Sequence, residues 1–250
     1  MTLFLDRPAD SVEAATAFWE RVTGTTRSVY RGDRDQFTTL LPAVGDAHVR
    51  VQRVDAGPGG THLDLHTDDI ASLVNRAVDL GAARVGTEPV HSLRSPGGFL
   101  FCIVGCHGEA TPSTPTAGPS GAPSRLDQVC LDIAPDHYDH EVAFWSALLG
   151  WPAVASTILP EFTSLTRPDG MPMRLLLQRL DEGDGPATGH VDLAAGERVD
   201  DVVADHVAAG AEVEQREWIW TVLRDPSGHR YCVTRRDPVR GIVTHVPPPR

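Results

Sequence analysis

His190 and Asp192 stand two residues apart in Gly189-His190-Val191-Asp192-Leu193, and His62, Asp64 and His66 repeat that spacing earlier in the chain. An extended strand turns alternate side chains to one face, so each imidazole shares its face with a carboxylate. Such a pair either readies a histidine for proton transfer or metal binding, or satisfies a buried histidine that does no chemistry. Cys232 and Cys102 offer a nucleophile or a soft ligand, but reactivity needs a cation or helix N-terminus to depress the thiol pKa. Tyr231 and Val233 flank one and Phe101 and Ile103 the other, which favours buried, unreactive thiols. Cys102, Cys106 and His107 add a Cys-x-x-x-Cys-His spacing that is weak as a lone cluster. Trp218 and Trp220 read as one face of a strand, either core or a wall for a planar or cationic ligand. Arg94 and Arg224 precede turns and either clamp an anionic group or, the preferred reading, pin the turn. Capping and solvation account for the polar run Asp136, His137, Asp139, His140 and Glu141.

The elements that must position these residues occur twice. Arg224-Asp225-Pro226-Ser227-Gly228-His229-Arg230-Tyr231-Cys232-Val233 is turn chemistry feeding a strand, and Arg94-Ser95-Pro96-Gly97-Gly98-Phe99-Leu100-Phe101-Cys102-Ile103 is its earlier copy. Phe18-Trp19 pairs with Phe144-Trp145, Gly24 with Gly150, Gln52-Arg53 with Gln178-Arg179, His62 with His190 and Cys102 with Cys232. Across such pairs the offset drifts only from 125 to 130 residues, which marks a tandem duplication. Residues 108–124 contain no aromatic or branched aliphatic side chain and read as a linker.

Each half opens on a short apolar strand, Leu3 to Leu5 or Val129 to Ile133. A helix follows with Ser11 or Asp139 as N-cap and Gly24 or Gly150 past its end. Two strands come next, and a second strand–helix–strands cycle begins at Thr61 or His190. The expected fold class is α+β with curved mixed sheets. The expected boundaries are an N-terminal domain over 1–107, the linker over 108–124, a C-terminal domain over 125–237 and a tail over 238–250.

A net charge of −12 argues against non-specific nucleic-acid binding and suits a soluble protein or a cationic ligand. No apolar run is long enough to span a membrane, and no signal peptide is expected. The four cysteines lack a disulfide-framework spacing, so a reducing cytoplasm is the expected location.

Phe-Trp…Leu-Leu-Gly after a first strand, Gly-His-Val-Asp-Leu in mid-domain and Asp-Pro-Ser-Gly-x-x-x-Cys-Val at the end resemble the glyoxalase/bleomycin-resistance/extradiol-dioxygenase (vicinal oxygen chelate) superfamily. The resemblance implies two tandem domains, each of two βαβββ modules forming a cup. Its metal-ligand places fall on Gln128, Gln178, His190 and Cys232 in the C-terminal half and on Thr2, Gln52, His62 and Cys102 in the other. Cys stands where the last strand usually supplies Glu, and no His/His/Glu facial set exists, which argues against Fe(II) oxygen chemistry. The function expected first is therefore binding of a small organic molecule, with cationic and aromatic ligands the first candidates, without a metal cofactor. The site would be Gln128, Gln178, His190, Trp218, Trp220 and Cys232 of the C-terminal cup. Sequestration and metal-free proton transfer with His190 as base both remain open. The alternatives are a lyase, isomerase or dioxygenase using one divalent metal ion, held by Gln128, His190 and Cys232, and a degenerate fold serving protein interaction. The N-terminal half, with Thr2 in place of Gln128, is expected to be scaffold, in a monomer or homodimer.

Overall fold

The computed structural model describes residues 1–85, 90–106 and 109–243. The first half runs β1 (Thr2–Pro8), α1 (Val12–Thr23), β2 (Thr26–Arg27), β3 (Phe37–Leu41), β4 (Val49–Val54), β5 (Gly60–Thr67), α2 (Ile70–Asp79), β6 (Ala83–Arg84), β7 (His91–Arg94) and β8 (Leu100–Gly105). After β9 (Thr116–Ala117) the second half repeats it: β10 (Pro123–Ile133), α3 (Tyr138–Leu149), β11 (Ala153–Ala155), β12 (Phe162–Leu165), β13 (Arg174–Arg179), β14 (Thr188–Ala194), α4 (Val199–Ala208), β15 (Glu212–Arg216), β16 (Trp220–Arg224) and β17 (Arg230–Thr234). The sheets follow the same path, β2-β3-β4-β1-β5-β8-β7-β6 and β11-β12-β13-β10-β14-β17-β16-β15. In each, the first strand lies parallel to the fourth and antiparallel to the fifth. The two βαβββ modules of a half thus join along their opening strands into one open, mixed sheet, and the α+β expectation holds.

The helices begin and end for local reasons. Val12, Ala15, Phe18 and Trp19 form the buried stripe of α1, and Gly24, at φ 62°, and Gly150, at φ 69°, supply the left-handed residue that ends α1 and α3. Asp69 caps α2 by accepting from the Ser72 amide at 3.0 Å. Asp139 is not a cap: it lies inside α3, whose N-cap is His137.

Each half lays its first helix against the last strand of the other. Phe18 and Trp19 of α1 meet the Tyr231 ring of β17 with centroids 5.8 and 5.1 Å apart. Phe144 and Trp145 of α3 meet Phe101 of β8 at 5.9 and 5.1 Å. The two seams solve one polar problem with different residues. In one, the turn carboxylate Asp225 accepts the Trp19 indole N–H at 3.0 Å and pairs with Arg7 at 2.9 Å, both ion-pair side chains being buried. In the other, Ser95 and Ile133 occupy those places, and the carboxylate comes from the helix. Glu141 accepts the Trp145 indole N–H at 2.8 Å and the Gly97 amide at 2.6 Å. Glu141 therefore does more than solvate a helix start, and it is fully buried because its oxygens are matched there. Arg94 and Arg224 pin their turns alike, each donating from Nη1 at 2.7 Å to the Gly98 or Gly228 carbonyl.

His206 of α4 sits at the first seam, 2% exposed, with Nδ1 3.0 Å from the Tyr231 hydroxyl and its ring edge-on to Phe18. Burial lowers its pKa to about 4. Unfolded histidine titrates near 6.5, so as pH falls from about 6.5 toward 4 the unfolded chain takes up the proton first and stability is lost. Between pH 7 and pH 5 the loss is about 2 kcal/mol. Urea melts at the two pH values should show that difference shrinking by about this amount in His206→Gln.

Three expectations are corrected. The described linker residues are docked, not free: Asp46 accepts the Ala110 and Thr111 amides at 2.8 Å, Asp205 accepts from Ser120, and β9 pairs with β10. Two carboxylates of the flanking halves meet backbone donors, so the segment needs no apolar side chains of its own. Residues 238–243 are not a loose tail either. Asp237 accepts the Val239 and Arg240 amides, and Val243 bridges back to Arg236. Trp218 lies outside β16 in a bend, so it does not share a strand face with Trp220. Glu88, His107 and residues 244–250 fall outside the described residues.

Candidate active site in the C-terminal cup

The concave face of the second sheet encloses a cavity of about 310 Å³. Gln128, Gln178, His190, Trp220 and Cys232 all line it, whereas Trp218 does not; Ile219 takes its place. Cys130, Ile158, Leu159, Phe162, Leu176 and Val243 supply most of the apolar wall. Trp220 meets Phe162 edge-on at 5.7 Å and closes one side.

The polar end is built by strand register. Cys130 pairs with His190 and Gln128 with Asp192 between β10 and β14, and Asp192 pairs with Cys232 between β14 and β17. His190 is held from both sides: Nδ1 lies 2.8 Å from Asp132 Oδ2 and Nε2 3.4 Å from Asp192 Oδ1. Gln128 donates to the other Asp192 oxygen at 2.5 Å. Burial alone would lower the His190 pKa, but Asp132 together with the neighbouring Cys130 and Cys232 holds it well above the ordinary value. Burial pushes the Cys232 thiol up, against the pull of His190. The reactive-thiolate condition is therefore unmet in the free protein.

Asp132 is the partner that sequence reasoning missed. The signal was available: Asp6 and Asp132 are carboxylates in otherwise apolar first strands, at the same offset as the Phe-Trp pairs.

The N-terminal half repeats the set and fills the space. Asp6 Oδ2 lies 2.6 Å from His62 Nδ1, and His62, Asp64 and Cys102 cluster as their counterparts do. Burial raises the Cys102 thiol to about 11. Here Phe4 stands where the other half has Cys130, and its ring stacks on His62 at 4.5 Å. Arg50, in place of Leu176, sits over Phe4 at 5.6 Å and pairs with Glu109. Gln52 pairs in register with Asp6, as Gln178 does with Asp132, and Thr2 bonds to His66. Cys106 is exposed and stands apart from the Cys102 cluster.

The model of a glyoxalase-like domain matches residues 2–104 and again residues 128–234. The chain belongs to this family. Both halves are thereby accounted for as tandem glyoxalase-like domains. No curated protein matches the chain. Among solved structures it is similar to the Mn(II)-bound glyoxalase from Novosphingobium aromaticivorans, with 16% identity, TM-score 0.63, and 93% of this chain and 80% of that one covered. It is also similar to 2,2',3-trihydroxybiphenyl 1,2-dioxygenase from Sphingomonas wittichii strain RW1, with 13% identity, TM-score 0.61 and coverage of 93% and 88%. A mutant 4-hydroxymandelate synthase from Streptomyces coelicolor gives 15% identity, TM-score 0.60 and coverage of 93% and 91%. At these identities the likeness speaks for fold alone.

The donor set of the C-terminal glyoxalase-like half fits a metal ion better than its sequence places alone imply. One ligand atom each of His190, Asp192 and Cys232 lies within 4.8 Å of the others. Asp192 Oδ1 is buried without a hydrogen bond and has His190 Nε2 3.4 Å away as an ion-pair contact, so a cation bound there would be shared by the two. The Asp132 contact at Nδ1 is the carboxylate–histidine arrangement that orients a ligating imidazole through its other nitrogen. Nitrogen, carboxylate oxygen and sulfur together suit Zn²⁺.

Proposed function

We propose that the C-terminal cup is the active site of a metal-dependent glyoxalase-like enzyme of lyase or isomerase type acting on a small organic substrate. The observation that carries this reading is the convergence of His190, Asp192 and Cys232 ligand atoms within 4.8 Å, with the buried Asp192 Oδ1 making no hydrogen bond and facing His190 Nε2 at 3.4 Å. A divalent ion of the Zn²⁺ class would be held by these three, with Gln128 fixing the Asp192 carboxylate through its other oxygen. Bound there, it supplies a Lewis acid that polarises a substrate oxygen. Asp132 fixes the His190 ring, and the apolar wall with Trp220 excludes water and orients the substrate body. A single histidine among the donors disfavours oxygen-activating iron chemistry, which uses two histidines and a carboxylate. Similarity in fold to a Mn(II)-bound glyoxalase supports a metal at this cup without identifying it.

A second, metal-free reading rests on the same His190. Its raised pKa keeps the imidazole charged at neutral pH, which makes it a proton donor in place of the base expected from sequence.

Native mass spectrometry of protein purified without chelators or histidine tags separates the two. One Zn²⁺ per chain is expected, lost in His190→Ala and Asp192→Asn but retained in His62→Ala. A bare polypeptide mass that stays bare after soaking with Zn²⁺, Mn²⁺, Fe²⁺ or Ni²⁺ would retire the metal-dependent reading and leave the metal-free one.

A further inference from the structure

Four arginines converge behind one wall of the cavity. Asp127 is the extra residue at a bulge in β10, between the pairs Leu126–Leu193 and Gln128–Asp192, and is 1% exposed. Arg236 Nη1 donates to its Oδ1 at 2.7 Å, while Arg125 Nη2 and Arg174 Nε stand 3.4 and 3.6 Å from its Oδ2. Arg167 completes the group; burial and then the neighbouring Arg174 lower its pKa to about 10. Among the described residues Asp127 is the one carboxylate at ion-pair distance from this group, so it offsets the mutual repulsion only in part. Buried nitrogens are left without acceptors: Arg125 Nε, Arg167 Nη1, Arg174 Nε, and both Nε and Nη2 of Arg236. Unpaired buried donors are costly, and these cluster at one place.

Arg236 brings this charge to the cavity. Its side chain is 10% exposed and lines the wall, together with Cys232 and Thr234 from the same segment. Four residues of extended chain put Arg236 at most about 13 Å from Cys232. Ile219, Trp220 and Val243 line the same cavity with apolar surface. The net charge of −12 describes the whole chain; at this one wall of the cup arginines outnumber carboxylates.

We infer that the ligand of the C-terminal cup is a small apolar anion whose oxyanion head group, carboxylate or phosphate, is bound by Arg236 and the arginines behind it. This rests on the reading of the cup as a small-molecule site, but not on its metal. The guanidinium fork matches either head group bidentately, and the apolar body lies along Trp220 toward His190.

Calorimetric titration of the intact chain with phenylacetate, phenyl phosphate and the neutral phenylacetamide, all with EDTA present, tests it. At least one anion should bind saturably and the amide at least about tenfold more weakly; the tighter anion assigns the head group. Arg236→Gln should weaken anion binding roughly a hundredfold, and Arg236→Lys, which keeps the charge but loses the fork, about tenfold. Should the Gln variant fail to fold, the Lys variant carries the test. Amide binding equal to that of the anions, no saturable binding of either anion, or unchanged affinity in the Lys variant would overturn the inference. Because chelator is present throughout, a bare mass with intact anion binding would retire the metal and leave the anion site standing.

Discussion

Asp225→Ser should destabilise the protein by about 3–5 kcal/mol, the range for stranding one member of a buried ion pair. Arg7 and Asp225 are 2% and 0% exposed at the side chain, and Arg7 reaches no other carboxylate in the seam at ion-pair distance among the described residues. Burial would raise the Asp225 pKa, yet Arg7 and the hydrogen bonds from Ser227, Trp19 and the His229 amide together hold it below the ordinary carboxylate value, so the pair is charged in the folded state. Losing the carboxylate leaves a guanidinium buried with two backbone acceptors, Asp6 O and Gly60 O, and takes the acceptor from the Trp19 indole. Adding Arg7→Ile to Asp225→Ser copies the residues the other seam already uses, Ile133 and Ser95, and should recover most of the loss. Further addition of Ala15→Glu supplies the counterpart of Glu141 and should restore an acceptor for Trp19. Chemical denaturation of the single, double and triple variants reads this series. A single variant within about 1 kcal/mol of wild type would show that the pair contributes little.

Cys130→Phe should close the C-terminal cup. The N-terminal half contains the outcome: Phe4 occupies the corresponding register position, and its ring stacks on His62 in the space that Cys130 leaves open beside His190. Binding of phenylacetate or phenyl phosphate should fall at least about a hundredfold, or roughly 2.7 kcal/mol. Because the new ring enters an existing cavity of about 310 Å³ and not a filled core, the folding cost should stay near the low end of the 1–3 kcal/mol typical of overpacking. Titration with these probes and a urea melt check both halves of the statement. Undiminished affinity would move the ligand elsewhere in the cup. The reciprocal change, Phe4→Cys, is not expected to open a working N-terminal cup, because Arg50 still sits over that position.

The fold was legible because duplication leaves paired signals. Phe-Trp followed by Leu-Leu-Gly, the mid-domain His-x-Asp and the Pro-Gly turn before a Cys each report one local rule, and the common offset orders them. The family resemblance is what brings His190, Gln128, Gln178 and Cys232 into one cup, because its ligand places fall on these strand positions. Trp218 could not be placed, because two tryptophans separated by one residue look alike in a strand and in a bend entering it. Contacts between distant segments were out of reach. Asp132 needs the register of β10 on β14, and Glu141 needs the opposite half. Arg125, Arg167, Arg174 and Arg236 span more than a hundred residues with no spacing that unites them. An acidic whole-chain charge pointed toward a cationic ligand, whereas the arginines gathered around Asp127 make a local excess of positive charge at one wall.

The unequal seams also dictate which halves can recognise one another. Two N-terminal halves placed face to face would set Arg7 opposite Ser95 and Trp19 beside Ala15, with a buried cation and indole but no carboxylate in either contact. Two C-terminal halves would bring Glu141 and Asp225 together with no arginine at the place of Ile133. Only the mixed arrangement gives Arg7 a counter-ion and each indole a carboxylate acceptor, so like-with-like pairing is rejected by desolvation and repulsion. What began as a symmetrical repeat has become an obligate pair of unlike partners carried on one chain. Freed from mirroring each other, one partner could fill its cup with Phe4 while the other kept its space open.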